Sequence, residues 1–280
     1  LNFCYFKDTG TLSLRNWKFH PFIWKKWILT NSNTAFMIEN KVQHGFYAKT
    51  RRQQNQLLLL MGLTFFVVIL LLVFISWITR FYFIGILLIP ITLSVIAPFI
   101  DTPALKKSGK LIYHSLLFLS EKEKNGIIKI HGGTLFDYVF VIDKKMNGNQ
   151  RTNFILQQYL QGLLNLIEEN ENSNVNDLTI RGTSYIINDR TARRVGFKSV
   201  RTDNIQKLIL IYNYFNVLIT YSIAKGKLSF PKLGASKTFE ANLSTLVEKK
   251  EYIGNLHNKL KNTLASHLST KQRTDPIAPY

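Results

Sequence analysis

The chain has 280 residues and a formal net charge of +19, from 36 Lys and Arg against 17 Asp and Glu. Its single cysteine, Cys4, excludes an internal disulfide and a cysteine-rich zinc site. The basic balance calls for an anionic partner; lipid headgroups are favoured over nucleic acid, because no RNA-binding signature accompanies the charge.

Residues 1–56 carry +7 and read as a basic, aromatic-rich N-terminal region. Trp17, Trp24 and Trp27 are interleaved with Lys18, Lys25 and Lys26, a mixture suited to a segment lying in a membrane interface. The stretch LSLRNWKF also alternates as a short strand would. Gln43 to Gln56 reads as a polar helical lead-in to the first apolar run.

Residues 57–100 hold two apolar runs, Leu57–Thr79 of 23 residues and Phe81–Ile100 of 20, separated by Arg80. At about 1.5 Å rise per residue each run reaches roughly 30 Å or more, the thickness of a bilayer's hydrocarbon core. The segment begins too far into the chain and runs too long for a cleavable signal, so it predicts a transmembrane helical hairpin. Lys49, Arg51 and Arg52 precede it and Lys106, Lys107 and Lys110 follow it, against Arg80 alone at the turn. The positive-inside rule then places both termini in the cytoplasm and Arg80 outside, in a plasma (inner) membrane. Trp77, Phe81 and Tyr82 around Arg80 suit an interfacial belt. Within the runs there is no Asp, Glu, Lys or His, so they read as an anchor rather than an ion pathway.

Asp101-Thr102-Pro103 is expected to end the second helix, since proline disfavours helix in the residue before it. Residues 101–243 then read as a mixed domain. Leu111–Leu119, Ile127–His131 and Thr134–Ile142 are strand-like, and Arg151–Asn170 has apolar residues at helical spacing before an acidic, Asn-rich loop. LTIRG is a further strand, Asn188-Asp189 a helix cap, and RTARRV a short helix ending at Gly196-Phe197. Lys207–Ile223 is β-rich in composition, with helix as the alternative. Residues 244–268 form an amphipathic helix with Leu246, Ile253, Leu256, Leu260 and Leu264 on one side, and 269–280 a disordered tail. The expected fold class is an α+β (mixed α/β) cytoplasmic domain attached to a two-helix transmembrane hairpin.

The order strand, strand, strand, long helix, strand, short helix, strand over Leu111 to Ile223 resembles the GNAT acetyltransferase superfamily. Its sharpest piece is NDRTARRVGF, Asn188–Phe197, where the family has an Asn, an Ala and a Gly-Phe pair beside the acyl-coenzyme A site. The resemblance implies that Gln150, Arg151 and Thr152 open the long helix and present backbone N–H groups to a pyrophosphate. Here that loop is NGNQRTNFIL, with Gly148 ahead of Gln150 and no glycine at the helix start. A coenzyme A derivative is the cofactor on this reading; otherwise none is expected.

Two constellations carry chemistry by their residue types. Arg190, Arg193 and Arg194 stand at i, i+3 and i+4, one helix face, with Arg181, Lys198 and Arg201 nearby in sequence. Such a group can take a phosphate or an anionic headgroup bidentately; it can also be a solvated basic face. His131-Gly132-Gly133, followed by Asp137 and Tyr138, is the candidate catalytic set, because glycines let a backbone approach a ligand and a His beside them can act as a base. A bulge between strands explains the same letters. His20, His44, His114, His257 and His267 lack metal-ligand spacing, so no metal is expected. The expected function is a membrane-anchored interaction or assembly module, with anionic lipid headgroups and a protein partner or second copy at 244–268. The alternative is a membrane-bound transferase acting on an acyl- or phosphate-bearing substrate.

Overall fold

A computed structural model describes residues 43–171, 178–184, 187 and 189–274, with side chains as far as 265. Residues 1–42, 172–177, 185–186, 188 and 275–280 lie outside the described residues, and so do the expectations that fall on them, among them the strand at 12–19 and the cap at Asn188.

The first apolar run belongs to helix α1, Arg51–Thr79, and the second to α2, Phe83–Lys107. Thr50 opens α1 with a capping box: its hydroxyl accepts from Gln53 N at 3.4 Å, and Gln53 Oε1 accepts from Thr50 N at 3.1 Å. Arg80 closes α1 in the left-handed region (φ 53°), its N–H donating to Trp77 O at 3.3 Å. Along α1 only Ser76 is buried, and it is buried against Gly85 of α2. A Cβ on Gly85 would stand 3.0 Å from Ser76 Oγ, so the glycine sets how closely the two helices approach. Both helices are long and apolar enough to cross a membrane. Pro103 does not end α2, as the sequence suggested; it lies inside the helix with Pro90 and Pro98. A proline removes one N–H bond, and the next turn is held by Ser108 N donating to Ala104 O at 3.0 Å.

Six strands form one sheet: β1 (Leu111–Tyr113), β2 (Phe118–Glu121), β3 (Ile127–Gly132), β4 (Thr179–Ser184), β5 (Lys198–Val200) and β6 (Lys237–Asn242), in the order β1-β2-β3-β4-β6-β5. Only β3 and β4 pair in parallel, Ile127 opposite Thr179 and Ile130 opposite Gly182. The expected first strand is therefore two, and β5 and β6 were not anticipated. Thr134–Ile142, expected as a third strand, is instead helix α3, Leu135–Val141, with Thr134 and Asp137 forming its capping box. Helix α4, Gly148–Asn170, crosses from β3 to β4 and lies on the sheet. Leu163, Leu166 and Ile167 pack there on Phe118, Ile128, Ile180 and Phe239. Gly162 permits that contact, since a Cβ would fall 2.4 Å from Phe118 Cβ.

After the short α5, Asp189–Arg194, and β5, the Lys207–Ile223 stretch is helical: α6 (Asn204–Tyr212) and α7 (Tyr214–Lys225), bent by 69° at Asn213. The expected final helix is also two, α8 (Leu243–Glu248) and α9 (Lys250–Thr274), so helix runs on through 269–274, which was expected to belong to the tail. Its apolar side does not face solvent: Leu246 and Ile253 enter the core with α4, and Leu264 joins Phe154 and Ile155.

His114 sits between the β1–β2 hairpin and α4, with Nε2 2.8 Å from Ser120 Oγ and Nδ1 3.0 Å from Glu169 Oε2. Burial lowers its pKa from the ordinary 6.5, and the Glu169 carboxylate offsets only part of this. The unfolded chain therefore takes up the proton first. Stability is fully present above about pH 6.5 and falls as pH drops below it. A melting curve of the full chain in mild detergent is expected to move down between pH 7.5 and 5.5. His114→Gln is expected to flatten that slope; an unchanged slope would overturn the assignment.

Candidate functional site

The sheet presents one end to the apolar helices. Thr134, just beyond β3, shares a hydrogen bond with Thr102 of α2, Oγ1 to Oγ1 at 3.1 Å. Because β4 runs parallel to β3 and Ser184 lies opposite Lys237, this end also holds the C-terminus of β4 and the start of β6. Packed against it, Phe46, Phe99, Leu135 and Phe136 form an aromatic cluster with Leu57, Met61 and Val95 of the two long helices. The ring centroids of Phe46 and Phe136 are 5.0 Å apart and those of Phe99 and Phe136 are 6.1 Å apart. Gly45 brings its segment in: its N–H donates to Phe140 O at 3.0 Å, and a Cβ there would lie 2.8 Å from the same oxygen.

Asp137 lies at the centre of this junction with no exposed surface. Its Oδ1 accepts from Tyr113 OH at 2.7 Å and from His44 Nε2 at 3.1 Å. Its Oδ2 accepts from Thr134 N at 2.7 Å and from Thr134 Oγ1 at 2.8 Å. These contacts fix the His44 tautomer, because Nδ1 accepts from Phe46 N at 3.3 Å and the ring proton is left on Nε2. Lys106 of α2 completes the cluster, its ammonium 3.4 Å from the Tyr47 ring centroid and 4.5 Å from that of Tyr113. Burial, reinforced by the Asp137 charge, holds the Tyr113 phenol far above its ordinary range, so it remains a donor. Burial likewise pushes Tyr47 up to about 12. A carboxylate that takes four hydrogen bonds and an imidazole engaged at both nitrogens have nothing left to offer a substrate. This constellation is a lock between four segments: the stretch before α1, α2, β1 and the start of α3.

The residues singled out from sequence do not meet at one place. His131 is exposed on β3 and pairs with Glu121, Nε2 to Oε1 at 2.9 Å, which holds the Glu121 carboxyl below its ordinary value. Tyr138 is buried on α3, its hydroxyl 3.3 Å from that of Tyr159. Asp137 faces His44 and Tyr113 rather than His131. His44, Tyr113, Thr134 and Lys106 are the partners that sequence reasoning missed. The Thr134-x-x-Asp137 spacing was the one available signal, as a capping box; a separation of 93 positions between His44 and Asp137 carries none.

The first turn of α4 is closed. Asn147 Oδ1 accepts from Gln150 N at 2.9 Å, and Thr152 Oγ1 donates to Gly148 O at 2.8 Å. The Arg151 guanidinium donates to three carbonyls, those of Lys144, Met146 and Ile223, each at 2.9 Å. The carbonyl ending α7 lies against the same turn: a Cβ on Gly148 would be 2.2 Å from Lys225 O. These residues offer no open row of N–H groups and do not fit a pyrophosphate there.

On α5, Ala192 is buried in the core while Arg190, Arg193 and Arg194 line a shallow cavity of about 460 Å³ with Asp189. Asp189 pairs with Lys237, which holds its carboxyl below the usual range. Among the described residues no ion pair forms on Arg190, Arg193 or Arg194. Neither His131 nor Tyr138 lines this cavity. Arg181 stands apart on β4, paired with Glu240 of β6, and Arg201 lies in the loop after β5.

No family model, curated protein or solved structure matches this chain.

Proposed function

We propose that the chain is a membrane-anchored assembly module whose basic domain is held rigidly at the cytoplasmic face of a plasma (inner) membrane. The observation that carries this reading is the lock around Asp137. It fixes α3 and β1 to α2 and to the segment before α1, so the apolar hairpin and the sheet are one mechanical unit. An anchor joined by a flexible tether needs no such junction, whereas a mount that sets a surface at a fixed height above lipid does. The basic cavity on α5 supports the reading, being shallow and lined by its own helix, as suits a headgroup phosphate more than an enclosed substrate. The apolar side of 244–268 is consumed by the core, so protein partners are assigned to the polar surface of the domain instead.

The test uses the full chain purified in mild detergent, with retained lipids identified by mass spectrometry. Anionic lipids are expected to be enriched over zwitterionic ones, and the enrichment is expected to fall as ionic strength rises. Replacing Arg190, Arg193 and Arg194 together by Gln is expected to remove most of it. Replacing Lys259 and Lys261 by Gln is expected to leave it. Equal losses from both sets would mean diffuse charge and would overturn the assignment to α5.

A further inference from the structure

We infer that α6 and α7 form a re-entrant wedge that dips into the lipid leaflet nearest the domain, with acyl chains covering the exposed apolar side of α6. This rests on the reading of α1 and α2 as membrane spans and adds a third lipid-contacting element.

Depth is fixed by hydrogen bonds to α2. Ser94 Oγ donates to Tyr212 O at 3.3 Å, and Asn216 Nδ2 donates to Ser94 O at 2.9 Å. Ser94 lies seven residues before Asp101, about 10 Å along the helix and into its apolar run. The elbow at Asn213 therefore sits at bilayer depth wherever α2 does. Both ends of the wedge return to the domain. Thr202, just before α6, takes a hydrogen bond from Thr238 N of β6 at 3.2 Å, and the end of α7 lies against the first turn of α4. A complete crossing is excluded by this return.

The surface of α6 matches lipid and not water. None of its residues is buried, and Ile205, Leu208 and Ile211 are 67%, 67% and 64% exposed. A nine-residue helix in water that buries none of its residues has little source of stability. The same stripe set in acyl chains continues the outward apolar surface of α1 and α2.

Most polar atoms at the elbow find partners within the protein, as a hydrocarbon environment demands, with the buried Asn216 Oδ1 left over. The break frees backbone carbonyls, and Ile209 O accepts from both Asn213 N and Asn213 Nδ2 at 3.0 Å, while Tyr212 O takes Ser94. Asn216 and Thr220 of α7 are buried, and Thr220 Oγ1 donates to Asn216 O at 2.9 Å. At the water end, Lys207 in the first half of α6 and Lys225 at the end of α7 are positioned for their heads to reach headgroup level.

The experiment places one spin label per protein in a Cys4→Ser background, at Leu208→Cys, Ile211→Cys, Phe74→Cys and Lys198→Cys, in full-length protein reconstituted into liposomes. Each native side chain is exposed, and each variant is first checked for an unchanged melting temperature. Oxygen and a water-soluble nickel chelate are then used as relaxants. Leu208 and Ile211 are expected to match Phe74, accessible to oxygen and shielded from nickel, with Ile211 the deeper of the two. Nickel accessibility matching Lys198 at both positions, with Phe74 lipid-like, would overturn the wedge and leave the spans intact. Shielding from both relaxants would show a protein surface over α6 and overturn lipid as its occupant. A Phe74 label open to nickel would overturn the spans themselves, and the wedge with them.

Discussion

Asp137→Asn is expected to destabilise the full chain by about 3–5 kcal/mol, the range found when one partner is removed from a buried charge network. The carboxylate takes four donors, from His44, Tyr113 and Thr134, at 2.7 to 3.1 Å. An amide keeps one oxygen and turns an NH2 group toward a pair of donors of which one, the His44 Nε2–H or the Thr134 N–H, cannot accept from it. Lys106, stacked on Tyr47 and Tyr113, loses its nearby negative charge as well. For a chain of this size each kcal/mol moves the melting temperature by about 2–4 °C, so a loss of about 6–20 °C is expected. Lys129→Gln, at an exposed position on β3, serves as the control and is expected to stay within about 0.5 kcal/mol. The same melting temperature in Asp137→Asn and the wild type would show that the junction is not held by this carboxylate.

How much of this was legible in the sequence depends on the kind of signal each element emits. The two apolar helices were, because length and lack of charge are local properties, and α4 was, because its apolar residues recur at helical spacing. Helix α3 was not. Leu135, Phe136, Tyr138, Val139, Phe140, Val141 and Ile142 make an apolar run broken only at Asp137, and such a run reads the same whether it becomes a buried strand or a buried helix. The capping box of Thr134 and Asp137 decides for helix, and it was visible in the letters. Tyr, Ile and Val gave Lys207–Ile223 a strand-like composition, yet the segment forms two helices, of which α7 packs against α2, so that context rather than propensity decides. Strand β6 escaped notice because Thr238, Phe239 and Ala241 are all buried, leaving no alternation to read. The candidate site divides in the same way. Asp137 stood out as a charge in an apolar run, whereas its partners His44, Lys106 and Tyr113 come from separate segments that only the folded chain brings together.

Labelling at the hairpin turn is expected to be all or none. In a Cys4→Ser background, Arg80→Cys is expected to react with a membrane-impermeant maleimide on intact cells. Lys198→Cys is expected to react only after permeabilisation. Arg80 lies in a three-residue connection between α1 and α2, exposed and held in the left-handed region, with Trp77, Phe81 and Tyr82 exposed around it. One positive charge crosses with this turn, while Lys49, Arg51, Arg52, Lys106, Lys107 and Lys110 would all have to cross in the opposite orientation. The fold adds a second reason for the direction. Thr102 and Lys106 are bonded or stacked into the Asp137 junction, so the ends of both helices that carry the six charges are the ends attached to the sheet. Inverting the hairpin would carry the whole basic domain, with its +11 over residues 101–280, across the bilayer. Labelling of Lys198→Cys on intact cells together with protection of Arg80→Cys would overturn the orientation, and with it the assignment of the Arg190, Arg193 and Arg194 face to cytoplasmic headgroups.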